Sequence, residues 1–111
     1  MTYRRWDVVA VHFPFIEGGE AKKRPALVVS ANDLYETHNV VWAAMITTAK
    51  TRVRQGDIPV TDHRAARLPE NCVIRISRLT TLGEAQISHR IGAITAKDRK
   101  AVVALLRRYL P

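Results

Sequence analysis

Five short runs of β-branched and apolar residues, each bounded by Pro, Gly or polar turn residues, restrict this chain more than any other feature. Asp7–Phe13 (DVVAVHF) stops at Pro14, and Ala26–Ser30 (ALVVS) begins after Pro25. Val40–Thr47, Asn71–Ile76 and Gln86–Ile94 follow, with Asp57–Val60 a weaker sixth candidate. Runs of this length and make-up are strand material. Two of them, Ala26–Ser30 and Val40–Thr47, are apolar at successive positions, which marks strands buried on both faces. Pro25 suits the first position of its strand, where no ladder donor is lost.

Between these runs, Ala31–Asp33 and Thr80–Gly83 read as turns, Tyr35–Asn39 as a connection, and Thr61–Arg67 as either one helical turn or a loop. Near the end, Thr95 stands three residues before Asp98, a variant of the capping box. Val102, Val103, Leu106, Tyr109 and Leu110 then recur at helical spacing, predicting an amphipathic helix from about Ala96 to Leu110. Five or six strands and one closing helix predict a single, mainly β (α+β) domain over residues 1–111. The expected architecture is a small, strongly curved antiparallel barrel with a C-terminal helix.

Composition narrows the function classes. Eighteen Lys and Arg against ten Asp and Glu give a net charge of +8, a balance suited to polyanionic partners such as nucleic acid. With a single cysteine, Cys72, the chain forms no internal disulfide and reads as cytoplasmic. No apolar run approaches the roughly 18 residues of a membrane span. The four histidines share no metal-ligand spacing, and the Gly-rich phosphate cradles and the G-x-S-x-G elbow are absent, so no cofactor is expected. Cys72, inside an apolar strand, reads as a small buried hydrophobe. Trp6 and Trp42 read as core or interface residues in preference to base-stacking platforms.

Cations and hydroxyls near strand ends are the candidates for chemistry. Arg24 precedes Pro25, which holds the residue ahead of it extended, and its guanidinium fork matches a phosphate. The other reading of Arg24 is a solvated basic run with Lys22 and Lys23. Thr47 and Thr48 either end a strand or offer hydroxyls to a phosphate oxygen beside Lys50 and Arg52. Alternation points Arg75 away from Ile74 and Ile76, towards solvent or a groove.

In order, the chain reads WDVVAVHFPF from Trp6, KRPALVVS from Lys23, VVWAAMITT from Val40 and CVIRISRLTTL from Cys72. This succession resembles the MazF/PemK family of toxin–antitoxin ribonucleases over nearly the whole chain, least between about Lys50 and Glu70. The resemblance implies an SH3-like barrel, and the alternative function on that fold is a non-enzymatic toxin that binds a protein target, as in the CcdB-type gyrase poisons. The resemblance also implies a homodimer, a cognate antitoxin, and metal-independent cleavage of single-stranded RNA through the ribose 2′-hydroxyl. By the same resemblance the catalytic residues are Arg24, Thr47 and Arg75, and RNA contacts come from Lys22, Lys23, Thr48, Lys50, Arg52, Ser77 and Arg78. Some members carry an acidic residue where this chain has Ser77. Specificity is expected in the Ile16–Lys23 loop and the Thr48–Gln55 segment.

Overall fold

Strands buried on both faces need cover on both sides, and the chain supplies it with different elements. A computed structural model describes residues 2–13, 22–50 and 54–111. Its strands are β1 (Asp7–Phe13), β2 (Lys22–Val28), β3 (Val40–Thr48), β4 (Asp57–Pro59), β5 (Cys72–Gly83) and β6 (Ile87–Ala93), with helices α1 (Asn32–His38) and α2 (Ala96–Tyr109). The strands form one antiparallel sheet in the order β4-β5-β3-β2-β1-β6. Alternate residues send their side chains to opposite faces. Leu27, Ala44, Ile46 and Ile74 therefore join one core with Val60, Ala66, Leu68 and Val102. Ala26, Val28, Val41 and Ala43 join the other with Tyr3 and Tyr35.

The mainly β class with a closing helix is as expected, and α2 starts where its cap predicts, with the Thr95 hydroxyl accepting from the Asp98 amide at 3.4 Å. The closed barrel is corrected. Among the described residues the edge strands β4 and β6 do not pair with each other, and the sheet is open. The space that such a pairing would close is occupied instead. Ala66 and Leu68, from the segment after β4, pack into the core with Ile94 and Val102, and α2 packs on β4 and β5. Gly92 in β6 makes room for this. A Cβ there would come within 2.3 Å of the Ala66 carbonyl oxygen.

Three element boundaries also differ from the expectation. Strand β2 starts at Lys22 rather than after Pro25, because Lys22–Pro25 pairs with β1 alone, while the ladder with β3 begins at Ala26↔Met45. A residue without an N–H is tolerated where one edge is open. Residues 32–38 form α1 instead of a turn and a connection. This short helix is set by its burial of Tyr35, whose ring meets Tyr3 edge-on at 5.8 Å. Strand β5 runs through the expected Thr80–Gly83 turn, and its pairing with β3 steps from Met45↔Arg75 to Ala44↔Leu79. Ile76, Ser77 and Arg78 fall between those two pairs as a bulge. The Thr61–Arg67 segment forms turns, not a helix. Trp42 is no core residue, being 52% exposed, whereas Trp6 packs against the first core. Among the described residues no helix is long and apolar enough to cross a membrane.

Candidate active site

Where the β2–β3 ladder stops, the two strands leave a groove. Its volume is about 440 Å³, and Lys23, Arg24 and Pro25 of β2 line it together with Ile46, Thr47 and Thr48 of β3. Ala10, Ile91 and Cys72 add apolar surface, and residues 67–70 complete the lining with Arg67, Leu68, Pro69 and Glu70. Each functional side chain is placed by the backbone. Pro25 keeps Arg24 extended, opposite Val11 of β1. Thr47 and Thr48 sit opposite Val73 and Cys72 of β5, half-buried, while Lys23 and Arg24 are exposed. Two hydroxyls and the exposed cations Lys23, Arg24 and Arg67 beside apolar surface are suited to a phosphodiester, whose oxygens accept hydrogen bonds and carry charge.

Of the residues expected from the sequence, the structure thus gathers Lys23, Arg24, Thr47 and Thr48 in one groove. Lys50 lies exposed in the turn after β3, and Ser77 and Arg78 are exposed on the β5 bulge. None of these three is among the residues lining the groove. Arg52 lies outside the described residues, as do residues 16–21 and 51–53 of the expected specificity segments, and of Lys22 only the backbone is described.

Arg75 does not face solvent. It is 7% exposed, so of the two expected surroundings, solvent or a groove, the first is corrected, and Arg75 is not among the residues lining the groove described above. Strand β4 covers it, with Asp57 directly opposite. The Arg75 guanidinium donates from Nε to Asp57 Oδ1 at 3.1 Å and from Nη2 to Oδ2 at 2.9 Å, a two-point ion pair. The hydrogen bond from Arg75 holds the Asp57 carboxyl below its ordinary 3.8 against the opposing effect of burial, with the Arg54 amide assisting. The unfolded chain therefore takes up this proton first as pH falls. Stability from the pair is complete above about pH 4 and is lost below it, as pH drops through the depressed folded value. The difference in melting temperature between wild type and Asp57→Asn should accordingly be large at about pH 6 and shrink towards pH 2. Equal differences at both ends would contradict it.

Sequence reasoning missed Arg67 and Glu70. Residues 61–70 carry no apolar period, and the available signal was Asp62 ahead of a short polar stretch, an Asx-turn residue. Cys72 is buried as expected. Burial first, and the Glu70 carboxylate second, push its thiol up, which keeps it protonated and unreactive.

Three solved structures share the fold. A Mycobacterium tuberculosis toxin, MazF-mt6, superposes with a TM-score of 0.73 at 18% identity, over 92% of this chain and 93% of that one. MazF from Deinococcus radiodurans gives 0.76 at 16%, over 97% and 96%. An endoribonuclease from a mycobacterial species, solved with its cognate antitoxin, gives 0.70 at 19%, over 96% and 91%. No curated protein matches the chain significantly. The model of the PemK-like, MazF-like toxins of type II toxin–antitoxin systems matches residues 4–110, so this chain belongs to that family.

Proposed function

We propose that this toxin is an endoribonuclease acting in the cytoplasm on single-stranded RNA, without a metal. The observation that carries the reading is the meeting of Arg24 and Thr47 in one groove, where their adjacent strands have parted and each is paired with its outer neighbour. The ribose 2′-hydroxyl attacks the adjacent phosphorus, the bond to the 5′-oxygen breaks, and the products are a 2′,3′-cyclic phosphate and a 5′-hydroxyl. Negative charge grows on the phosphorane. Arg24 stabilises it as a fixed cation, and the Thr47 hydroxyl as a donor. Lys23 and Thr48 hold the flanking backbone. We assign Arg75, engaged by Asp57, to fastening β4 on β5.

The reading includes a two-fold homodimer, and also a cognate antitoxin, with which the mycobacterial endoribonuclease was solved. An acidic antitoxin segment would compete with RNA for the positive charge. Incubating purified protein with mixed-sequence single-stranded RNA and EDTA should yield fragments. RNA left intact would turn the reading to a non-enzymatic toxin that acts by binding a protein.

A further inference from the structure

The segment between β4 and β5 carries Arg67, a residue that the family resemblance does not assign. It is built as a rigid turn. Asp98, buried at the start of α2, accepts from the Thr61 amide at 2.9 Å and from the Thr61 hydroxyl at 2.5 Å. Asp62 Oδ1 accepts from the amides of Arg64 and Ala65, both at 3.1 Å. The Ala66 amide donates to the Asp62 carbonyl at 3.2 Å, the Arg67 amide to the Arg64 carbonyl at 3.0 Å, and the Leu68 amide to the His63 carbonyl at 2.7 Å. His63 Nδ1 donates to the Leu68 carbonyl at 2.8 Å. Ala66 and Leu68 are buried in the core on either side of Arg67, and Gly92 lets the Ala66 carbonyl settle against β6.

Between these two anchors Arg67 has φ +60°, a left-handed conformation that costs any residue bearing a Cβ. The surrounding turn enforces it, and the side chain lines the same groove as Arg24 and Thr47. The side chain is exposed at the groove, while its backbone is braced on both sides. Strained backbone held by its surroundings is a feature of ligand clamps.

We propose that Arg67 is a phosphate-contacting residue of the groove, held at a fixed position by this turn and gripping the RNA backbone beside the phosphate that Arg24 engages. The proposal rests on the ribonuclease reading and adds a positioning contact to it.

Binding of a mixed-sequence RNA with 2′-fluoro riboses, which cannot be cleaved through the 2′-hydroxyl, tests it by fluorescence anisotropy over a series of salt concentrations. Arg67→Asn removes the cation and keeps a residue that tolerates positive φ. Its slope of log affinity against log salt should be shallower than wild type by about 0.7, the release expected for one phosphate contact on a single strand, with binding about 5–10-fold weaker near physiological salt. Arg67→Lys should recover the slope. Arg67→Gly, which favours the same φ, replaces the Asn variant if that one fails to fold. A merely structural role would leave the slope untouched. Variants with the wild-type slope and affinity, or a Lys variant as shallow as the Asn one, would overturn this proposal alone. Wild-type protein that fails to bind the RNA would overturn it together with the ribonuclease reading.

Discussion

Arg24→Ala should lower single-turnover cleavage of RNA by about 10²–10³-fold at saturating protein, the usual loss for one preorganised donor to a transition state. Arg24 is one of several cations, so the claim is positional. Pro25 restricts its backbone, the ladder to β1 fixes its strand, and the end of the β2–β3 pairing opens the groove beside it. On the proposed reading a strand, in contrast to a loop, presents the guanidinium at the groove where charge develops on the phosphorane. Thr47→Ala should have the same character and a smaller size, since a neutral hydroxyl offers less than a cation. Arg78→Ala supplies the contrast. That side chain is exposed on the β5 bulge, and the loss of one solvated charge should cost under about 1 kcal/mol of binding, with the rate at saturation unchanged. Saturation hides a binding defect but not a chemical one. Equal rates for Arg24→Ala and wild type would move the site elsewhere.

Asp98→Ala should lower stability by about 2–4 kcal/mol, since two hydrogen bonds to a carboxylate are lost at about 1.5–3 kcal/mol each and are not fully additive. Asp98 is 2% exposed and joins two parts of the fold. It accepts from both the amide and the hydroxyl of Thr61, while its own amide donates to Thr95 at the start of α2. An acid in the first helical turn also complements the helix dipole, by about 0.3–1 kcal/mol. The melting temperature should fall by on the order of 10 °C or more. Loss of the tie frees the Thr61–Leu68 turn, so RNA affinity should also weaken below the melting temperature. A midpoint within a degree or two of wild type would show that the turn holds without it.

Strand content and the C-terminal helix were legible because each depends on local pattern. Ala26–Val28 and Val40–Thr47 are apolar without alternation, and both faces are covered in the fold. Thr95 and Asp98 announce the start of α2 within a few residues of each other. Helix α1 was not legible, since seven residues without a side-chain cap are held by tertiary burial of Tyr35. Arg75 shows a second limit. Alternation states which way a side chain leaves its own strand, but burial depends on what lies alongside, here the three-residue β4 with Asp57 at the matching register. Closure of a barrel is likewise decided by competition. Ala66 and Leu68 come from a segment without any period and fill the space beside β6 that a strand would need. For the candidate site, residue pattern left Arg24 and Thr47 open between two readings, and the family resemblance singled them out. Arg67 and Glu70 were not readable, because a turn stitched by Asp62, His63 and Asp98 has no signature at the level of composition.

On the proposed reading the groove cleaves RNA by directing the ribose 2′-hydroxyl onto the adjacent phosphate. Mass spectrometry of the fragments formed in EDTA reads this directly. The expected ends are 2′,3′-cyclic phosphate on the upstream fragment and 5′-hydroxyl on the downstream one, with no cut at a position whose ribose is replaced by 2′-deoxyribose. Fragments ending in 3′-hydroxyl and 5′-phosphate, or cleavage undiminished at the deoxy position, would contradict it.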